Sequence, residues 1–152
     1  MMTHIERSAL VTFSAEKMFD LVNDVANYPK FLPGCRSVEI LHSSKNLLEA
    51  RLDLARAGLR QSFTTRNRLQ RPYNMQLSLV DGPFTEFNGS WQFTALSETA
   101  CKVLFSLSFT VQNRLLGAAA EKLFSGLANQ MVDVMCARAQ QLYGQPPGTK
   151  AP

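Results

Sequence analysis

Residues 87–111 read FNGSWQFTALSETACKVLFSLSFTV, and this stretch decides the fold. Phe87, Gly89, Trp91 and Phe93 alternate with Asn88, Ser90, Gln92 and Thr94. After the turn signal Ser97-Glu98, Val103, Phe105, Leu107, Phe109 and Val111 alternate with Lys102, Ser106, Ser108 and Thr110. Two runs of period two with so short a connection form an antiparallel hairpin, dry on one face and wet on the other.

Working backward, the same period recurs. Met75, Leu77 and Leu79 share one parity, as do Phe63, Thr65, Asn67 and Leu69. So do Leu48, Ala50, Leu52 and Leu54, and then Val38, Ile40 and His42. Turn residues separate the runs: Asp81-Gly82-Pro83, Arg71-Pro72, Ala57-Gly58 and Ser43-Ser44-Lys45-Asn46. Six strands therefore meander from Arg36 to Gln112. Ahead of them, Thr3 to Phe13 reads as a further strand. Ser14 caps a short helix over Ala15 to Val22, with Met18, Phe19 and Val22 on one side. The prolines of the Tyr28–Cys35 segment limit it to a short helical turn or loop.

Working forward, Leu115 to Tyr143 has no proline and reads as one long helix. Leu116, Ala120, Leu123, Leu127, Met131, Met135, Ala139 and Leu142 form its apolar stripe, widened by Phe124, Ala128 and Val134. Such a helix must cover the dry face of the sheet. The expected class is α+β: a curved antiparallel sheet of about seven strands around a long C-terminal helix, with two short helices after the first strand. One domain over residues 1–144 is expected, followed by a loose tail over 145–152.

Composition bounds the function. With 45% hydrophobic and 18% charged residues, the chain can bury a core and is not disordered. No apolar run approaches the ~20 residues that span a bilayer. Glu6 and Arg7 stand where a signal peptide needs its apolar stretch. The expectation is a soluble cytoplasmic protein that at most touches the inner membrane peripherally. Cys35, Cys101 and Cys136 make no CxxC and no Cys/His cluster, so reduced thiols are expected, with no disulfide and no metal site.

The net charge of +4 is concentrated. Arg51, Arg56, Arg60, Arg66, Arg68 and Arg71 face a single acid, Asp53, across that window, which sums to +5. The rest of the chain, 10 basic against 11 acidic residues, sums to −1. Arginine forks match phosphates. The window suits RNA or an anionic membrane surface, and equally a solvated sheet face. Parity puts Arg51, Arg66 and Arg68 on the wet face of one hairpin.

A helix gripped by a strongly curved sheet either fills the core or leaves a cavity, and periodicity does not separate the two. The dry-face candidates to line a cavity are Val38, Phe63, Met75, Phe87, Trp91, Phe93, Phe105, Phe109 and Met131. His42, Thr65 and Asn67 share the dry parity and could orient a polar end of a ligand. For Asn67 alone, pairing with backbone near a strand end is the simpler expectation. Catalytic motifs are missing: there is no GxSxG, HExxH, Walker A or GxGxxG. The two histidines are His4 and His42, and nothing supports a pair of Cys35 with His42. An enzyme is disfavoured, with an acid–base cyclase as the alternative.

Two segments carry a resemblance. The first is Val22-Asn23-Asp24-Val25-Ala26-Asn27-Tyr28-Pro29-Lys30-Phe31-Leu32-Pro33-Gly34-Cys35. The second runs from Leu79-Val80-Asp81-Gly82-Pro83-Phe84 to Gly89-Ser90-Trp91-Gln92-Phe93. Together with Phe63-Thr64-Thr65-Arg66-Asn67 they resemble the coenzyme Q-binding, START-like family of polyketide cyclase/dehydrase and lipid transport proteins, over roughly Ile5 to Tyr143. The resemblance implies a helix-grip fold with a deep apolar cavity, to which Tyr28, Phe31, Leu32 and Phe84 would add. It implies a non-enzymatic role, binding ubiquinone or a polyprenyl precursor as ligand and not as catalytic cofactor, in support of respiration. For the family's ribosome-associated toxin branch it implies binding to RNA of the large ribosomal subunit and blocking of subunit association. DNA is not an expected partner.

Overall fold

The computed structural model describes residues 2–112 and 117–144. The elements follow in the order β1 (Thr3–Val11), α1 (Ala15–Asn23), a 3-10 turn (Val25–Lys30), β2 (Cys35–Ser43), β3 (Leu47–Arg56), β4 (Leu59–Gln70), β5 (Asn74–Asp81), β6 (Phe84–Ser97), β7 (Ala100–Val111) and α2 (Gly117–Tyr143). The seven strands form one antiparallel sheet in the order β1-β7-β6-β5-β4-β3-β2. It is the meander that the period of two predicts, with β1 added along β7. The proposed tail over 145–152 lies outside the described residues.

Local chemistry sets the joints. Ser14 accepts from the Lys17 amide at 3.1 Å and starts α1. The buried Tyr28 hydroxyl donates to the Val22 carbonyl, tying the 3-10 turn to the end of α1. Ala57 and Gly58 both adopt positive φ (53° and 82°), the backbone of the tight hairpin turn that matches strand twist. At Gly82 a Cβ would lie 2.8 Å from the Phe63 Cβ, so the turn into β6 passes too close to β4 for any side chain.

The helix α2 lies along the concave face. Its buried residues are Ala120, Leu123, Phe124, Leu127, Ala128, Val132, Met135 and Ala139. This shifts part of the expected stripe. Val132 takes the inward place beside a half-buried Met131, and Leu142 is exposed. Four residues beyond Ala139, it is Tyr143 that turns inward, its ring 6.0 Å from that of Phe13. Leu116 lies outside the described residues.

One strand departs from the expected parity. The pairing of β2 with β3 shifts register between Ile40 and His42, and Ile40, Leu41 and His42 are all exposed. A bulge puts one extra residue in the strand and resets which side chains face inward. As β2 is an edge strand, it tolerates that irregularity.

Candidate functional site

Between the concave face of the sheet and α2 lies a cavity of about 100 Å³. The 3-10 turn and the loop after it contribute Val25, Tyr28 and Leu32. Strands β3, β4 and β5 contribute Leu52 and Leu54, then Phe63, Thr65 and Asn67, then Met75 and Leu77. Strands β6 and β7 add Phe84, Phe87 and Trp91, then Phe105, Leu107 and Phe109. Helix α2 adds Phe124, Leu127, Ala128 and Met131.

Aromatic rings build the walls. Phe84 sits 4.6 Å from Phe124 and 5.1 Å from Phe87, and Phe63 meets Phe124 edge-on at 5.7 Å. Trp91 packs on Phe105 at 4.5 Å. Tilted and edge contacts at these spacings are the favoured ones. Twelve of the expected lining residues therefore border the cavity: Tyr28, Leu32, Phe63, Thr65, Asn67 and Met75, with Phe84, Phe87, Trp91, Phe105, Phe109 and Met131.

Four do not. His42 is exposed beyond the bulge of β2. Val38, on the same strand, is half-buried and packs on the core outside the cavity. Phe93 is buried under α1, 5.7 Å from Phe19 and stacked 6.1 Å from Trp91. Phe31 is half-buried beneath the Arg138 guanidinium, 4.9 Å away. Among the residues that sequence reasoning did not place in the lining, Leu52, Leu54 and Leu107 had the correct parity. Phe124 and Leu127 were in the helix stripe.

Asn67 is the polar feature of this cavity. It is 4% exposed, and its Oδ1 has no hydrogen-bond partner among the described residues. Its oxygen does not make the expected pairing with backbone. Across the sheet it stands between Leu48 of β3 and Leu77 of β5, neither of which offers a side-chain donor.

Tyr28 is the one titratable side chain among the described lining residues. Burial, first, and then the nearby Cys35 and Asp24 push its phenol far above the usual range, and its hydroxyl is already spent on Val22. Among the described lining residues there is thus no group that exchanges a proton near neutral pH. Burial likewise pushes the thiols of Cys35 and Cys101 up to about 11. Cys35 and His42 stand at opposite ends of β2, about 20 Å apart along an extended strand, and form no nucleophile–base pair.

The arginine window does not make one patch. All six arginines are exposed, but they point to three places. Arg51, Arg60, Arg66 and Arg68 lie on the outer face of the β3–β4 hairpin. There Arg66 pairs with Glu49 at 3.0 Å and Arg51 approaches Asp53 at 4.0 Å. Arg71 reaches α1 instead, with two bonds to the Asp20 carboxylate at 2.8 and 2.9 Å. Arg56 points toward α2, its Nη1 3.2 Å from where a Cβ of Gly126 would stand. Arg60 and Arg68 are left on the outer face outside any ion pair within 4 Å among the described residues, although the charge of Arg60 still reaches the Asp53 carboxylate.

Comparisons with known proteins agree with this architecture. Residues 11–136 match the family described as polyketide cyclase/dehydrase and lipid transport. The ribosome association toxin RatA of Pseudomonas aeruginosa is 49% identical over 144 residues, covering 95% of this chain and all of that protein. The mitochondrial coenzyme Q-binding protein COQ10 homolog B of Xenopus laevis is 27% identical over 142 residues, covering 91% of this chain and 58% of that protein. The crystal structure of the Zhui aromatase/cyclase from Streptomyces sp. R1128 superposes with a TM-score of 0.84 at 17% identity, covering 99% of this chain and all of the other. At that identity the likeness speaks for the fold alone. The chain belongs to the polyketide cyclase/dehydrase and lipid transport family, and its curved sheet closed by α2 is the START-like fold.

Proposed function

We propose that this protein acts by binding, as a RatA-type factor that associates with the large ribosomal subunit and hinders its joining to the small one. The observation that carries the reading is the 49% identity across the full length of a ribosome association toxin. Chemistry supports it. The outer face of β3–β4 presents Arg60 and Arg68 outside any ion pair within 4 Å among the described residues, a surface suited to RNA phosphates. The described lining of the cavity offers no proton-exchanging group near neutrality, which favours binding over turnover.

Sedimentation of the purified protein with isolated large subunits tests this. Co-sedimentation is expected at low salt, falling as salt rises, together with fewer joined ribosomes when small subunits are added. Arg60→Glu with Arg68→Glu should weaken the complex. A protein that stays at the top of the gradient at low salt refutes the reading.

The cavity favours a second reading, in which the protein also holds an apolar molecule. Each CH₂ removed from water gains about 0.8 kcal/mol. The volume sets a limit, however. A cavity of ~150 Å³ takes one benzene, and drug-sized ligands need about 300 Å³ or more. At about 100 Å³, a polyprenyl tail would lie largely outside this cavity. Native mass spectrometry of freshly purified protein tests the reading. A retained small molecule supports it; a bare chain that also takes up no added apolar ligand counts against it.

A further inference from the structure

We infer that an open cleft at one corner of the sheet, between Tyr73 and the end of β6, holds an unpaired base of an RNA strand. The inference deepens the ribosome-association reading and takes its RNA from it. The cleft measures about 520 Å³ and is lined by Tyr73, Asn74, Gln92, Phe93, Thr94 and Ala95. It arises because neighbouring strands differ in length. β6 runs on to Ser97, whereas β5 begins only at Asn74, which pairs with Gln92. Past that pair the end of β6 has no β5 residue beside it.

Three features fit a base. The first is a stacking surface. Tyr73 is 56% exposed, and a large ring left in water beside a cleft is a platform for another flat ring. The second is a hydrogen-bonding edge. The Phe93 amide donates to the Tyr73 carbonyl at 2.9 Å. Alternate residues of an antiparallel strand turn their backbone groups to the same side, so the N–H and C=O of Ala95 face the space beyond the start of β5. A donor beside an acceptor matches the Watson–Crick edge of an unstacked base, and the exposed Gln92 amide adds one of each. The third is charge. No acidic side chain lines the cleft among the described residues, and the Asp20 carboxylate is taken up by Arg71. Lys102 stands directly across from Thr94 on β7, exposed and outside any ion pair within 4 Å among the described residues. One strand spacing is about 4.8 Å, so its ammonium reaches the phosphate of a nucleotide whose base lies in the cleft. An added peptide strand is disfavoured, because the free edge of β6 ends at Ser97 and shifts register between Ala95 and Ser97, leaving few ladder bonds to make.

The test titrates the full chain with a short oligouridine carrying one 2-aminopurine, a base analogue whose emission falls on stacking. The wild type should quench the probe, with an affinity that declines as salt rises. Tyr73→Ala should weaken binding by about tenfold, remove the quenching and leave the salt slope unchanged. Tyr73→Phe keeps the ring and should keep both. Lys102→Ala should weaken binding and lower the salt slope by about 1. The bond from Tyr73 to Phe93 uses backbone only, so the alanine variant retains it, and circular dichroism checks its fold; Gln92→Ala, on the opposite wall, should also weaken binding and reads the same site if that variant does not fold. Equal binding and quenching by the wild type and these variants overturns the base site. So does a failure to bind the RNA by protein that co-sediments with large subunits, and in that case the ribosome-association reading stands. Binding and Tyr73-dependent quenching by protein that does not co-sediment supports the base site and overturns the ribosomal reading. Adenosine monophosphate that binds as tightly as the oligonucleotide overturns an RNA strand as the occupant.

Discussion

Asn67→Leu should make the unliganded protein more stable, against the usual direction of a core substitution. The wild type buries an amide oxygen with no partner among the described residues. A buried acceptor in that state costs about 1–3 kcal/mol. Leucine removes it with the same number of side-chain heavy atoms in the same branched shape, and its bulkier methyl groups border open space in the cavity, which avoids the overpacking that a larger side chain normally brings. Leucine also suits a strand better than asparagine does. The expected gain is about 1–3 kcal/mol. For a chain of this length that corresponds to a Tm increase of about 3–10 °C. Urea titration should show a higher midpoint at unchanged slope. Asn67→Ala separates the contributions: it also removes the orphan but enlarges the void, at roughly 24 cal/mol per Å³, and should fall below the leucine variant. A leucine variant no more stable than the wild type would show that the amide is satisfied in the free protein, most simply by ordered water. The expected result has the signature of a binding site, where stability is given up for a group that waits for its partner.

Gly82→Ala should destabilise by about 1–3 kcal/mol, because the new Cβ meets the Phe63 Cβ at 2.8 Å. A wild-type urea midpoint would refute this. The Asp53 carboxylate is held below its usual range by hydrogen bonds from Ser62, first, and from Ser37. Its contribution to stability is therefore present above the ordinary carboxylate pKa of about 4 and lost as pH falls further. Asp53→Asn should flatten the acid limb of a Tm–pH curve, and an unchanged limb contradicts the assignment. Cys35 and Cys101, with thiols pushed up to about 11, should alkylate slowly at neutral pH. Because the fold favours their protonated form, stability should decline as pH rises from the ordinary thiol range of about 8.5 toward 11. Rapid labelling of the native protein near neutrality would contradict both statements.

Most of the fold was legible because an antiparallel meander writes itself as alternation, one strand at a time, with turn residues between. What alternation does not carry is the relation between distant segments. His42 was placed inward because it follows Val38 and Ile40 at even spacing, and one bulge on an edge strand cancelled that. Phe93 has the parity of Trp91, but α1 covers that part of the sheet, and Phe19 fills the space in front of it. The arginine window looked like one patch because its neutralising groups come from elsewhere, Asp20 on α1 and Glu49 on the neighbouring strand. Leu54 and Leu127 were recognisable as inward-facing. Whether they touch each other or a void depends on how far the sheet curves away from α2, and residue types alone do not encode that distance.

Strand β4 carries both proposed activities, and its geometry predicts that they are independent. Thr65 and Asn67 face the cavity while Arg66 and Arg68 face solvent, as successive residues of a strand must. The strand is hydrogen-bonded to β3 on one side and to β5 on the other, with only one register shift, at Thr64/Thr65. A ligand changes affinity at a second site only by favouring one of two arrangements of some element between them. A strand clamped on both sides offers no second arrangement, and none of the outer arginines of β3 and β4 lines the cavity. Replacing Asn67 by leucine should therefore leave the salt-dependent association with large subunits unchanged, as should any apolar molecule that the cavity takes up. A shift in that association on either change would show that the sheet transmits the state of its concave face, and would require a second conformation of β4 or of the β3–β4 hairpin.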